Sequence, residues 1–270
     1  PFVTVATTRN ALAENRRAAV ERLSKRLTEL SQLISLSGNE VKVPEQFLAR
    51  LAVQLDASGE AEQIRQRNPV EPFRQFFSAL GIRLNKPDAK PFQHIDDLIA
   101  ELAAAENALV EMKAVSIAAT LVRPVRWEAE IFGFRTVSLD LRQNTTVINR
   151  VLREIWRKMN PVSKTSPPEL GTLDWLAWIS EELRKPLGFL PQFRGVSEEA
   201  EELLNLLLLA RETLDGPDPR SIGAFILSMT RTAADVLGLY LLAKYCGLFS
   251  DDTSTESCRL RIVPLFETIN

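Results

Sequence analysis

The sequence predicts a mainly α protein with a few parallel β-strands, on three observations. Apolar residues recur at steps of three and four through most of the first 130 residues, the period of amphipathic helices. Three short runs in the second half, RTVSLDL at 135–141, AFILSM at 224–229 and LRIVPLF at 260–266, have the length and the apolar or β-branched content of strands. The first two of these runs are each followed by a helical pattern, the order that parallel pairing requires.

Taken in order, Leu23, Leu27, Leu30 and Ile34 lie at steps of four, three and four and predict one long helix from Thr8 to about Ser37, stopped by Gly38 and Asn39. Pro44 opens a shorter helix through Phe47, Leu48, Leu51 and Leu55, at a first-turn position where the missing N–H is not needed. Pro69 and Pro72 start another around Phe73, Phe76, Phe77 and Leu80, and a polar loop runs from Asn85 to Pro91. Ile95, Leu98, Leu102, Ala105, Leu109 and Met112 then form one buried stripe. After the first strand-like run, Asn144 begins a helix through Ile148, Val151, Leu152, Ile155 and Met159. Helices are expected around Trp175 and Trp178 and from Ser197 to Leu214. Thr232 and Asp235 make a capping-box-like pair ahead of Val236, Leu237, Tyr240, Leu241 and Tyr245, and Gly247 stops that helix. The expected division is a helical region over 1–131 and a βα region over 132–270, joined in one continuous unit.

Composition narrows the function. With 33 Lys and Arg against 35 Asp and Glu in 270 residues, the chain has no cationic excess, so nucleic acid is not an expected partner. The longest apolar stretch, Leu203 to Ala210, is broken by Asn205 and is far short of the ~20 residues that span a bilayer, so no membrane association is expected. Two cysteines, Cys246 and Cys258, cannot staple a chain of this size, which points to a reducing, cytoplasmic compartment. A single histidine, His94, restricts histidine-based chemistry.

Parallel strands with right-handed crossovers bring their C-terminal ends to one rim, where barrel enzymes keep their sites. The first polar residues there are Arg142 and Gln143 after the first run, Thr230 and Arg231 after the second, and Glu267 and Thr268 after the third. Arginine grips phosphate or carboxylate with a bidentate fork, and glutamate can bind a hard cation such as Mg2+ or Mn2+, so the set suits a small phosphorylated substrate. Plainer roles stand beside these. Glu267 can be a solvated residue or helix cap, Arg231 a structural ion-pair partner, Asp235 a helix cap, and His94 a surface or capping residue. Trp127, Trp156, Trp175 and Trp178 fit packing, and Cys246 fits an inert core thiol. Arg16, Arg17, Arg22, Lys25 and Arg26 fit the solvated face of the first helix. The alternative function class is a non-catalytic helical scaffold or interaction module, in which the apolar runs are buried helices.

FGFRTVSLDLRQN at 132–144, GAFILSMTRTAADVLGLYLLAKYCGLF at 223–249 and RIVPLFETIN at 261–270 resemble successive segments of phosphoenolpyruvate carboxylase, in that family's order. The opening PFVT resembles the stretch just after the family's glycine- and aspartate-rich signature. The resemblance implies part of a helix-dominated α/β barrel, to which 132–270 would give about three strands. It implies an enzyme that forms oxaloacetate and phosphate from phosphoenolpyruvate and bicarbonate with Mg2+ or Mn2+. On it, Arg142 would hold the substrate phosphate and Glu267 would ligate the metal, while Gln143 and Arg231 are substrate-binding candidates by position only. The implied chemistry is phosphoryl transfer to bicarbonate, followed by capture of carbon dioxide by an enolate. The family's upstream catalytic histidine motif, its downstream glycine loop, its second metal-binding aspartate and a later phosphate-gripping arginine are absent here. The chain therefore reads as the central portion of a larger, homo-oligomeric enzyme, inactive alone and completed by flanking parts of the same polypeptide. One local departure is that a histidine usually follows the Arg-Gln pair, where Asn144, Thr145, Thr146, Val147 and Ile148 stand here.

Overall fold

The computed structural model describes residues 4–86, 88–161, 166–186, 195–251 and 256–267. These fall into two units, one formed by Leu12–Val137 with Gly216–Asp218, the other by Pro1–Ala11, Ser138–Asp215 and Pro219–Asn270.

The first unit is helical. Helix α1 (Val5–Leu33), of which residues from Leu12 onward belong here, is followed by α2 (Glu45–Ser58), α3 (Ala61–Arg67), α4 (Pro72–Asn85) and α5 (Ile95–Glu111). A short α6 (Val115–Ile117) passes through a π-helical stretch, Ala118–Val122, into α7 (Arg123–Phe132). The apolar stripes read from the sequence make one core: Leu23, Leu27, Leu30, Phe47, Leu51, Phe73, Phe76, Leu80, Leu98, Leu102 and Leu109 are all buried together. Phe47 stacks on Phe73 with ring centroids 4.3 Å apart and tilts against Phe76 at 4.8 Å. Pro72 stands in the first turn of α4, where no N–H is required. Helix α1 stops at Leu33, short of Ser37, because Arg74 donates from Nε to Ile34 O and Glu71 accepts the Leu36 N–H, so a neighbouring element takes the backbone groups of the expected last turn.

Two polar clusters fasten this unit. Glu106, buried on α5, accepts from Arg123 Nε at 2.6 Å and Arg126 Nε at 2.8 Å, and Arg126 also pairs with Glu130. Asp218 accepts from the Phe134 N–H at 2.9 Å and from Arg135 Nη1 at 2.7 Å, both residues being buried. Gly133, at φ +61°, lies so close to Asp218 that an added Cβ would sit 2.2 Å from Asp218 Oδ2. The arginines of α1 are not simply a solvated face: Arg22 pairs with Glu128 at 2.8 Å and lies 4.2 Å over the Phe132 ring. Trp127 also departs from the packing role, being half exposed.

The second unit holds a three-stranded parallel sheet in the order β1 (Leu139–Asn144), β2 (Ile222–Ser228), β5 (Arg261–Pro264). Helices α8 (Thr145–Met159), α9 (Leu173–Arg184) and α10 (Glu198–Leu214) lie between β1 and β2 in the chain, and α11 (Ala233–Tyr245) between β2 and β5. A two-stranded antiparallel pair, β3 (Phe249–Ser250) with β4 (Ser257–Cys258), follows α11. The apolar runs at 224–229 and 260–266 are thus strands, not the buried helices of the scaffold alternative. The first strand is Leu139–Asn144 and not 135–141: Arg135 is drawn into the Asp218 pair, while Asn15 binds the backbone of Thr136 and Val137. Helices α8 to α11 each start on a side-chain cap, with Asn144 accepting from the Thr146 N–H at 2.7 Å and Thr232 and Asp235 forming the capping box.

Candidate functional site

Alternation along β1 sends Leu141 and Gln143 to one face and Asp140 and Arg142 to the other. Leu141 is buried beside Phe225 of β2, and Phe225 pairs in register with Ile262 of β5. The opposite face of the register row carries Arg142, Ile226 and Val263, and it is the more open one, with Arg142 60% and Val263 37% exposed.

The register between β1 and β2 slips between Leu139 and Leu141, so two residues of β2, Gly223 and Ala224, oppose one of β1, Asp140. Asp140 repairs the slip: its Oδ1 accepts the Ala224 N–H at 2.7 Å. Gly223 leaves room for this, since a Cβ there would stand 2.3 Å from Asp140 Oδ1. The aspartate of the LDLRQ motif is thus a strand latch, fixing the register two residues before Arg142. Sequence reasoning overlooked it, although an acidic residue on a strand beside a glycine-bearing partner strand was the available signal.

At the other side of β2, pairing continues past β5, with the Leu265 N–H donating to Leu227 O at 2.9 Å and the Thr230 N–H to Leu265 O at 3.0 Å. This guides residues 265–267 along the exit of β2. Arg142 and Glu267 therefore flank β2 from strands roughly 10 Å apart, a gap that only long side chains close. They meet: Arg142 Nη2 donates to Glu267 Oε1 at 2.8 Å.

The other rim candidates do not join them. Gln143 accepts its own neighbour's N–H, from Asn144 at 2.8 Å, and lines a separate cavity of about 420 Å³ with Val147 and the acidic face of α10. Arg231 lines a third space, of about 360 Å³, beside Thr145, Asn149, Trp175 and Asp235, and has no ion-pair partner among the described residues. Thr230 is buried and spends its hydroxyl on Leu227 O at 2.8 Å, so it is a strand-end fastener. Thr268 lies outside the described residues. Asp235 is the cap that its spacing predicts, accepting from the N–H groups of Arg231 and Thr232 at 3.0 and 2.9 Å. His94 stands at the start of α5, its N–H donated to Asp97 at 2.9 Å. Cys246 is buried, and that burial pushes its thiol pKa up to about 12, which makes it inert at neutral pH.

A hard divalent cation takes about six oxygen ligands. Among the described residues no group of three or more His, Cys, Asp and Glu could hold a metal ion. Glu267 is engaged by Arg142, and Asp140 by the Ala224 N–H. By themselves the described residues do not complete a divalent-metal site, and Glu267 brings a single carboxylate to this place. They do place an exposed guanidinium, Arg142, at the exits of parallel strands, paired with Glu267 and braced by a latch on its own strand.

The family model described as phosphoenolpyruvate carboxylase matches residues 1–270. The chain belongs to the phosphoenolpyruvate carboxylase family. It is 40% identical to the phosphoenolpyruvate carboxylase of Methylorubrum extorquens over 286 aligned residues, which is 100% of this chain and 30% of that protein. It is 28% identical to the phosphoenolpyruvate carboxylase of Nocardia farcinica, again over 100% of this chain and 30% of the relative, and 27% identical to that of Roseiflexus castenholzii over 99% and 30%. The chain thus spans about 30% of the length of the phosphoenolpyruvate carboxylases it matches. No helix among the described residues is long and apolar enough to cross a membrane.

Proposed function

We propose that this chain is the central segment of an active phosphoenolpyruvate carboxylase, and that Arg142 holds the phosphate of phosphoenolpyruvate in the complete enzyme. The complete enzyme would form oxaloacetate and phosphate from phosphoenolpyruvate and bicarbonate in the cytoplasm, as a homo-oligomer. The observation that carries this reading is the convergence of Arg142 and Glu267, 125 residues apart in sequence, at the exits of the two parallel strands that flank β2. Such exits are where α/β enzymes bind small anionic ligands. The half-exposed face of the sheet also supports it, because parallel sheets are normally covered on both faces, as closure into a barrel by further strands would achieve.

Arg142 offers a planar fork of five N–H donors, matched to phosphate oxygens, and its fixed charge stabilises negative charge gathering on the transferring group. Gln143 and Arg231, which face other spaces, act outside this grip. In the family, Mg2+ or Mn2+ supplies Lewis-acid polarisation; this segment would lend it one carboxylate, Glu267, with the remaining ligands coming from elsewhere in the polypeptide. The segment alone is then inactive.

The test restores the flanking parts of the polypeptide and measures oxaloacetate formation. The complete protein should be active, the isolated segment silent, and R142Q in the complete protein should lower kcat/KM by about 10²- to 10³-fold, the range for losing a charge-stabilising donor. Full activity in R142Q refutes the phosphate role.

A further inference from the structure

The carboxylate that meets Arg142 occupies a guanidinium donor a phosphate would use, and it brings a negative charge to contact distance of any anion docked there. An anion approaching Arg142 must displace Glu267 or accept its repulsion. The geometry points to Glu267 as an internal competitor of the substrate anion for Arg142, a self-pairing that weakens anion binding until the carboxylate is drawn off. This rests on the reading of Arg142 as the phosphate grip.

The pairing is poised for exchange. Its partners are 60% and 36% exposed, so water screens the contact and each side chain can swing away at little cost. Arg142 is nonetheless fixed in register by the Asp140 latch, and Glu267 by the Leu265 hydrogen bonds, so the two are held within reach of each other. Drawing off the carboxylate uncovers the guanidinium without moving a strand. Glu267 accordingly acts on anion binding through Arg142, apart from any other ligand it takes.

The experiment titrates inorganic phosphate into this chain in metal-free, low-salt buffer and follows the Arg142 side-chain N–H signal by 1H–15N NMR, comparing wild type, E267Q and R142Q. E267Q keeps the shape of an exposed side chain and removes the competing charge. It should bind phosphate about two- to fivefold more tightly than wild type, the span set by an exposed ion pair, and the difference should shrink as ionic strength rises. Equal or weaker binding in E267Q overturns the competition while leaving the phosphate role of Arg142 standing. A second readout, phosphate-induced change in backbone N–H shifts around 142–144, applies to all three proteins. If those changes persist with unaltered affinity in R142Q, the phosphate role fails, and the competition with it.

Discussion

Asp235 offers the sharpest stability test, because its carboxylate ties the start of α11 to α8. It accepts from the N–H groups of Arg231 (3.0 Å) and Thr232 (2.9 Å), from the Thr232 hydroxyl (3.1 Å) and from Asn149 Nδ2 (2.8 Å). Arg231 and Thr232 are exposed, so water can replace the carboxylate at their N–H groups, and losing the cap there costs about 1 kcal/mol. Asn149 is buried, and its amide would be stranded, at about 1–3 kcal/mol. Asp235→Ala should therefore lower unfolding stability by about 2–4 kcal/mol, read by urea denaturation followed through tryptophan fluorescence, where buried Trp175 reports on the same unit. Part of that loss belongs to the Asn149 contact, so combining D235A with N149A should cost about 0.5–3 kcal/mol less than the sum of the single changes. A D235A loss below about 0.5 kcal/mol, or additivity with N149A, would refute the reasoning.

Two further outcomes are expected. Burial of Glu106 disfavours its charge, but the hydrogen bonds and charges of Arg126 and Arg123 outweigh that and hold its pKa below the ordinary glutamate value. The stability it contributes is thus present above the unfolded-state pKa of 4.5 and is lost as pH falls through the lower folded value. Glu106→Gln should be less stable than wild type at neutral pH, with the gap closing as urea midpoints are taken to about pH 3; a gap that widens on acidification contradicts this assignment. Cys246, with its pKa near 12, should resist Ellman's reagent at pH values around 8 until urea unfolds the chain, and rapid labelling of the folded protein, located by mass spectrometry, would show the thiol is not sealed.

The helical stripes and two capping signals were legible because they are local: Leu23 to Ile34 and Ile95 to Leu109 need only the helical period, and Asn144 and Thr232 each cap the helix they precede. Helix α3 was not foreseen, since AEQIRQR buries only Ile64 and so carries no periodic signal. The start of β1 was misplaced because RTVS has the β-branched content of a strand, yet distant partners, Asp218 and Asn15, decide its conformation. Arg142 and Glu267 could be singled out from their motifs, but not the bond between them, which depends on two strands aligning with β2. Neither Gln143 nor Arg231 reaches that bond, because strand alternation turns one away and the turn after β2 carries the other toward α8 and α11.

The π-helical stretch between α6 and α7 behaves as a spacer one residue longer than the helix around it. The Arg123 N–H reaches back five residues, to Ala118 O, and everything after it is turned by about 100° relative to an uninterrupted helix. That rotation aims both Arg123 and Arg126 at Glu106. Removing a single residue from 118–122 would heal the helix locally and yet swing both guanidinium groups off their shared carboxylate, so at this point the most regular backbone is the worse one.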